Sequence, residues 1–187
     1  MADARRPTEL EGAVLGVLRE RGPCTAYAVR RVFLDSPSPY WSGSAGAIYP
    51  LMKRLERLGR IASRGGATGR RPSRLYRLTA RGSRAFRAWL QPPWPAVVTG
   101  VPADPVRTRV SFLGVLSAGE RGRFLREAIE RTEPHLRNQR EDLARHRRAG
   151  HRYEAAVARG AIASLRARRR WLEAAARDLA RRSAPRG

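Results

Sequence analysis

Apolar positions in the first sixty residues recur at helical spacing and are punctuated by caps and breakers. Leu10, Val14, Val17 and Leu18 follow a Thr8-x-x-Glu11 capping box, which predicts a helix from about Glu9 to Arg21, stopped by Gly22-Pro23. Thr25 is placed to cap a second helix from Ala26 to Leu34, with Tyr27, Val29, Val32 and Phe33 toward a core. "DSPSPYWSGS", Asp35 to Ser44, reads as a loop. A third helix starts between Ser44 and Ile48 and ends near Leu58, with Gly59 just beyond it. At roughly 100° per residue, Ile48, Leu51, Met52, Leu55 and Leu58 gather on one side, Gly46, Pro50, Lys53 and Arg57 fall opposite, and Tyr49 and Arg54 flank them. Pro50 has no N–H, which is harmless only in a first turn, so the regular helix either begins late or bends at its start.

The pattern then changes. Ile61 leads a short strand, a turn rich in Gly and Arg runs from Arg64 to Ser73, and Leu75, Tyr76 and Leu78 mark a second strand. Thr79 caps a fourth helix reaching about Leu90, with Ala85, Phe86, Trp89 and Leu90 on its buried side. Three helices, a hairpin and a fourth helix make a winged helix-turn-helix over residues 1–90. Residues 91–104 form a proline-rich linker; the charge-free stretch around it is too short and proline-broken for a membrane helix.

Residues 105–187 read as two long helices. The first starts at a Ser117/Glu120 capping box, and its positions Leu125, Ile129, Thr132, Leu136, Gln139, Leu143 and His146 alternate in steps of four and three, with Pro134 as a kink. The second, from about Tyr153 to Arg181, presents Val157, Ala161, Leu165, Leu172, Ala175 and Leu179. One apolar stripe per helix makes a poor independent core, so this region is expected to pair with a second copy. The residues expected at that interface are Leu125, Ile129, Leu136, Leu143, Val157, Leu165, Trp171 and Leu172. The fold class is therefore mainly α, an N-terminal winged helix followed by a helical dimerisation region.

Charge turns this architecture toward a function. Among 187 residues, 39 Lys and Arg face 16 Asp and Glu, a formal net charge of +23, which points to a polyanionic partner. Lys53 is the only lysine; arginine excess alone can reflect a GC-rich genome, but a shortage of acids does not follow from that. Between Lys53 and Arg87 the only acid is Glu56, so the imbalance is greatest on the third helix and the wing, the elements that touch DNA in a winged helix. Tyr49, Lys53, Arg54 and Arg57 on the helix and Arg70, Arg71 and Arg74 on the wing are the candidate contacts. Ser44 and Gly46 lie at the helix start, where small side chains and free N–H groups let a phosphate approach, and Thr25 and Tyr27 are candidates at the second helix.

Other chemistry is sparse. His135, His146 and His151 lack metal-ligand spacing, and no nucleophile, P-loop or dinucleotide motif appears, so neither catalytic nor metal residues nor a cofactor are expected and the chain reads as a non-enzyme. Cys24 stands before a helix start, where a thiol can be activated, although a small turn or core residue is the simpler reading. A single cysteine and a first segment without the apolar core of a signal peptide predict a cytoplasmic protein. Phe112, Phe124, Tyr153 and Trp171 read as dimer core, with a ligand cavity between subunits as the alternative. Residues 1–90 carry a net +12 and residues 91–187 a net +11, which keeps open non-specific, architectural DNA binding.

The stretches "LGVLRERGPCTAYAVRRV", Trp41, "GAIYPLMKRLERLGRI" and "GRRPSRLYRLTARG" resemble the PadR family of transcriptional regulators, chiefly in the I-Y-P-x-x-x-R-L-E core. "DPVRTRVSFLGVLSAGERGRFLREAIE" and "LRARRRWLEAAA" resemble the helical dimerisation region of its longer subfamily. Ala26 and Ala28 stand where the family has glycine and an acid. The resemblance implies a homodimer whose two winged helices bind a roughly palindromic operator on double-stranded DNA, as a repressor released by a small-molecule effector.

Overall fold

The computed structural model describes residues 5–68 and 71–181. The chain separates into two compact units between Val101 and Pro102.

In the first unit, α1 (Glu9–Arg21) opens on the expected capping box, with the Glu11 N–H donating to Thr8 Oγ1 at 3.3 Å and the Thr8 N–H to Glu11 Oε2 at 2.9 Å. A two-residue strand, β1 (Cys24–Thr25), precedes α2 (Ala26–Leu34), whose first turn is capped by Thr25 Oγ1 accepting from the Ala28 N–H at 3.1 Å. Where a loop was expected, Pro39 initiates α3 (Pro39–Gly43). Proline is suited to a first helical turn because its missing N–H would be unpaired there anyway. The Trp41 ring from this helix meets the Phe33 ring edge-on at 5.8 Å.

A 3₁₀ turn (Ser44–Ala47) leads directly into α4 (Ile48–Arg57), so the regular helix starts late and Pro50 is its third residue, within the first turn. Gly59, at φ +65°, turns the chain out of α4 into β2 (Ile61–Thr68). β2 pairs antiparallel with β3 (Arg71–Leu78) from Ile61↔Leu78 through Thr68↔Arg71, and β1 adds to the far side of β3 to give the order β1-β3-β2. The strands thus run well into the Arg64–Ser73 segment expected as turn. Backbone pairing carries them past the last apolar side chain, which is why apolar pattern alone ended them early. α5 (Ala80–Leu90) is capped by Thr79, as expected, but Leu90 is exposed and only Ala85 and Phe86 join the core.

Val14, Leu15 and Leu18 of α1, Val29 and Phe33 of α2, Ile48, Met52 and Leu55 of α4, and Ile61 of β2 form that core. Burying each such side chain contributes about 1.5–3 kcal/mol, so the greasy back of α4 is what seats its other face outward. Tyr27, expected partly as core, is 57% exposed. α1 lies close on α5: a Cβ on Gly12 would meet the Trp89 ring at 2.3 Å, and Trp89 Nε1 donates to Glu9 at 3.2 Å. In the segment expected as linker, Ala96–Thr99 forms a single turn, α6.

The second unit contains α7 (Pro105–Val110), a 3₁₀ turn (Leu113–Val115), α8 (Ala118–Glu130), α9 (Thr132–Arg148) and α10 (Arg152–Arg181). The predicted first long helix breaks at Arg131, three residues before Pro134, where the proline ring opposes the carbonyl of the preceding turn. Asp104, expected in the linker, caps α7 through the Val106 and Arg107 N–H groups and pairs with Arg168 of α10 at 2.6 Å. Burial raises the Asp104 pKa, but Arg168 and the two N–H groups outweigh it and hold the carboxyl below its ordinary value.

Of the residues expected at an interface between copies, several are already covered within the chain. Leu125, Leu136 and Leu172 are buried by their own chain, Leu113, Leu125 and Leu172 forming a core that Ile129 and Trp171 pack against. Part of each apolar stripe is thus covered within the chain, by α7, the 3₁₀ turn, α8 and α10 around Leu113, Leu125 and Leu172. The buried line of α10 begins Ala155, Ala158, Ile162, leaving Val157 73% exposed, while Leu143 and Leu165 are half-buried. No described helix is long and apolar enough to cross a membrane.

Candidate nucleic-acid interface

The face of α4 opposite the core is built from Tyr49, Pro50, Lys53, Arg54 and Arg57, all exposed. Leu51, Met52 and Leu55 anchor its back. Lys53 and Arg57 have no carboxylate partner among the described residues, so two cations stand free at the centre of the face. Tyr49 beside them is 45% exposed.

The flanks are tethered. Arg54 donates to Glu11, a fully buried carboxylate of α1. On the opposite flank Glu56 accepts from Ser63 Oγ of β2 at 2.5 Å and from Arg74 of β3 at 3.4 Å, and the Arg74 guanidinium also lies 6.0 Å from the Tyr76 ring centre. Of the wing candidates, Arg74 is thus placed beside α4, Arg70 lies outside the described residues, and Arg71 begins β3 with its side chain outside them.

The start of α4 differs from expectation. The Ile48 N–H already donates to the Ala45 carbonyl, so the 3₁₀ turn takes up an N–H group expected to be free for a phosphate. Ser44 Oγ donates to the Tyr40 carbonyl at 2.7 Å. Gly46 is exposed, with nothing within 4 Å of where a Cβ would stand, so it is an open, low point beside the basic face. At α2, Thr25 serves as the cap and Tyr27 projects into solvent.

Glu11 was read in the sequence only as half of a capping box. The structure gives it three arginines: Arg5 at 2.9 Å, Arg54, and the buried Arg60 at 3.4 Å. Burial pushes its carboxyl up, but the Thr8 N–H, Arg54 and Arg5 prevail and leave it below the ordinary value. An acid at a buried position of an amphipathic helix was the available signal. The Cys24 thiol is shifted the other way: burial raises it and the pull of Arg21 does not compensate, the opposite of the shift that activates a thiol. Among the described residues no cluster of His, Cys, Asp and Glu is arranged to hold a metal. Phe124 and Trp171 pack on the core of the helical unit, whereas Phe112 and Tyr153 are exposed.

Residues 14–88, from within α1 to near the end of α5, match the model of the transcriptional regulator PadR-like family. Over 130 residues the chain is 27% identical to the negative transcriptional regulator PadR of Bacillus subtilis (strain 168), covering 68% of this chain and 69% of that protein. The fold is similar to that of Bacillus subtilis PadR crystallised with operator DNA, at a TM-score of 0.76 and 22% identity over 92% of this chain and 99% of that one. It is also similar to the same protein with p-coumaric acid, at a TM-score of 0.66 and 22% identity over 94% and 98% of the two chains. At such identity these structures establish the shared fold, and the proteins named are regulators rather than enzymes.

Proposed function

Because this chain is a member of the PadR-like family of transcriptional regulators, we propose that it is a sequence-specific DNA-binding repressor. In this reading it acts in the cytoplasm as a homodimer on a palindromic operator and is released by a small-molecule effector. The observation that carries the DNA reading is the α4 face, where Lys53 and Arg57 stand without carboxylate partners among the described residues. Cations so placed neutralise phosphates or reach guanine edges when the helix enters a major groove. Repression and effector release rest on the relative, a negative regulator whose structures include complexes with operator DNA and with p-coumaric acid.

Selection from sheared genomic DNA tests this reading. Recovered fragments are expected to share an inverted repeat with half-sites about 10 bp apart, or a multiple of that, since two copies of α4 must meet successive grooves. Recovery of fragments without a common sequence would refute it.

A second reading, non-specific coating of duplex DNA, is favoured by one observation. Arg152, Arg159, Arg166, Arg170 and Arg177 of α10 are all exposed and fall within about 40° of one another at roughly 100° per residue, a stripe about 38 Å long. Replacing Arg159, Arg166 and Arg170 by alanine separates the two. Repressor action predicts an unchanged preference for operator over scrambled duplex, and coating predicts a weaker salt dependence on every duplex.

A further inference from the structure

Glu11 neutralises cations that reach it from three parts of the winged-helix unit. Its Oε1 accepts from Arg5, before α1, at 2.9 Å and from Arg54 on the flank of α4; its Oε2 accepts from the Thr8 N–H at 2.9 Å and from Arg60, in the turn after α4, at 3.4 Å. Arg60 is itself 1% exposed and donates a second time, to the Arg5 carbonyl at 2.5 Å. The capping box requires only the Thr8 contact; the three arginines are an additional arrangement.

Arg54 decides what that arrangement does. By sequence it is one of three cations on the outward side of α4, yet its guanidinium is held by a carboxylate with no solvent exposure. Arg54 is itself 46% exposed, but turning to a phosphate would give up its bond to a carboxylate with no solvent exposure and leave that buried anion less neutralised, a costly rearrangement. Lys53 and Arg57 carry no such tether among the described residues.

We propose that Glu11 is a positioning residue for the DNA-reading helix, holding Arg54 as a strut between α1 and α4 and withholding that cation from phosphate. The proposal rests on the DNA-binding reading above. It assigns the phosphate-neutralising charge of α4 to Lys53 and Arg57, and it makes Glu11 a determinant of specificity, because a freed Arg54 would add a contact that every sequence offers.

The test is the slope of log affinity against log salt, measured by fluorescence anisotropy on the duplex recovered by genomic selection and on a scrambled duplex. Arg57→Gln is expected to flatten the slope by about one unit, the loss of one phosphate contact, while Arg54→Gln leaves it unchanged. Glu11→Gln is expected to steepen it by about one unit and to tighten the scrambled complex, lowering the preference for operator. A flattening by Arg54→Gln equal to that by Arg57→Gln would overturn the proposal. If Glu11→Gln fails to fold by circular dichroism, the Arg54→Gln slope decides alone. Should Arg57→Gln and Lys53→Gln also leave the slope unchanged, it is the DNA reading of α4 that falls, and the strut proposal with it.

Discussion

Arg74 on the wing and Glu56 on α4 form an ion pair at 3.4 Å, and Ser63 Oγ donates to the same carboxylate oxygen at 2.5 Å. Both wing strands are therefore tied to the flank of the helix that carries Lys53 and Arg57. The Arg74 contact is solvent-exposed and contributes only about 0–1 kcal/mol, while a hydroxyl bonded to a charged group contributes about 1.5–3 kcal/mol. Glu56→Ala is accordingly expected to cost about 2 kcal/mol or less in urea unfolding and to speed amide exchange in β2 and β3 more than in α1. Equal acceleration in both places would mean that the carboxylate supports the whole unit and not the wing.

Gly46 and Gly82 make a matched pair of tests. Nothing lies within 4 Å of a Cβ built on Gly46, whereas one on Gly82 would meet the Arg60 carbonyl oxygen at 1.8 Å. Gly46→Ala should leave thermal stability within about 0.5 kcal/mol of the parent while weakening operator binding about tenfold or more, because only an approaching phosphate backbone would feel the added methyl. Gly82→Ala should destabilise the fold by about 1–3 kcal/mol or more, since backbone must move. Unchanged DNA binding in Gly46→Ala would show that the backbone does not pass over this point.

Acid stability should report Glu11. Its folded pKa lies below the ordinary value of a glutamate, so between the two the unfolded chain binds the proton that the folded chain refuses. The stabilisation from this group is fully present above the unfolded pKa and is lost as pH falls through the folded value. Asp104 acts in the same sense in the helical unit. The urea midpoint is expected to be flat in pH above about 5 and to fall below about 4.5; a midpoint that rose on acidification would contradict the buried, arginine-bound carboxylate.

Dimerisation is best tested at Val157. Leu136 is buried in its own chain, so Leu136→Asp should lose helical content by circular dichroism, whereas Val157, 73% exposed, can be changed to Asp without loss of fold. If the exposed side of α10 meets a second copy, Val157→Asp should sediment as a monomer at micromolar concentration with its helicity intact. A dimer that survives places the interface elsewhere.

Much of the winged helix was legible because its signals are local. Thr8-x-x-Glu11, Thr25, Gly59 and Thr79 mark element ends through their own backbone chemistry, and Ile48, Leu51, Met52 and Leu55 fix which side of α4 is buried. What was missed depends on contacts between distant residues. β1 exists only because Cys24 and Thr25 pair with Tyr76 and Leu75, a contact no periodicity encodes. The same limit hid the Glu11 cluster and the packing of α7, α8 and α10 around Leu113, Leu125 and Leu172. At the candidate site, residue types identified the basic face, but only the packing separates Lys53 and Arg57, without a carboxylate partner among the described residues, from the tethered Arg54 and Arg74.

Whether α4 reads DNA sequence is decided by fluorescence anisotropy at one fixed salt concentration, comparing DNA from upstream of the gene with a scrambled duplex of equal length. A sequence-specific regulator reading DNA through α4 predicts binding tighter to the first by about a thousandfold or more. That preference should be lost in Lys53→Ala/Arg57→Ala while the dimer persists. Equal affinity for the upstream duplex, the scrambled duplex and the fragments recovered by genomic selection would contradict it.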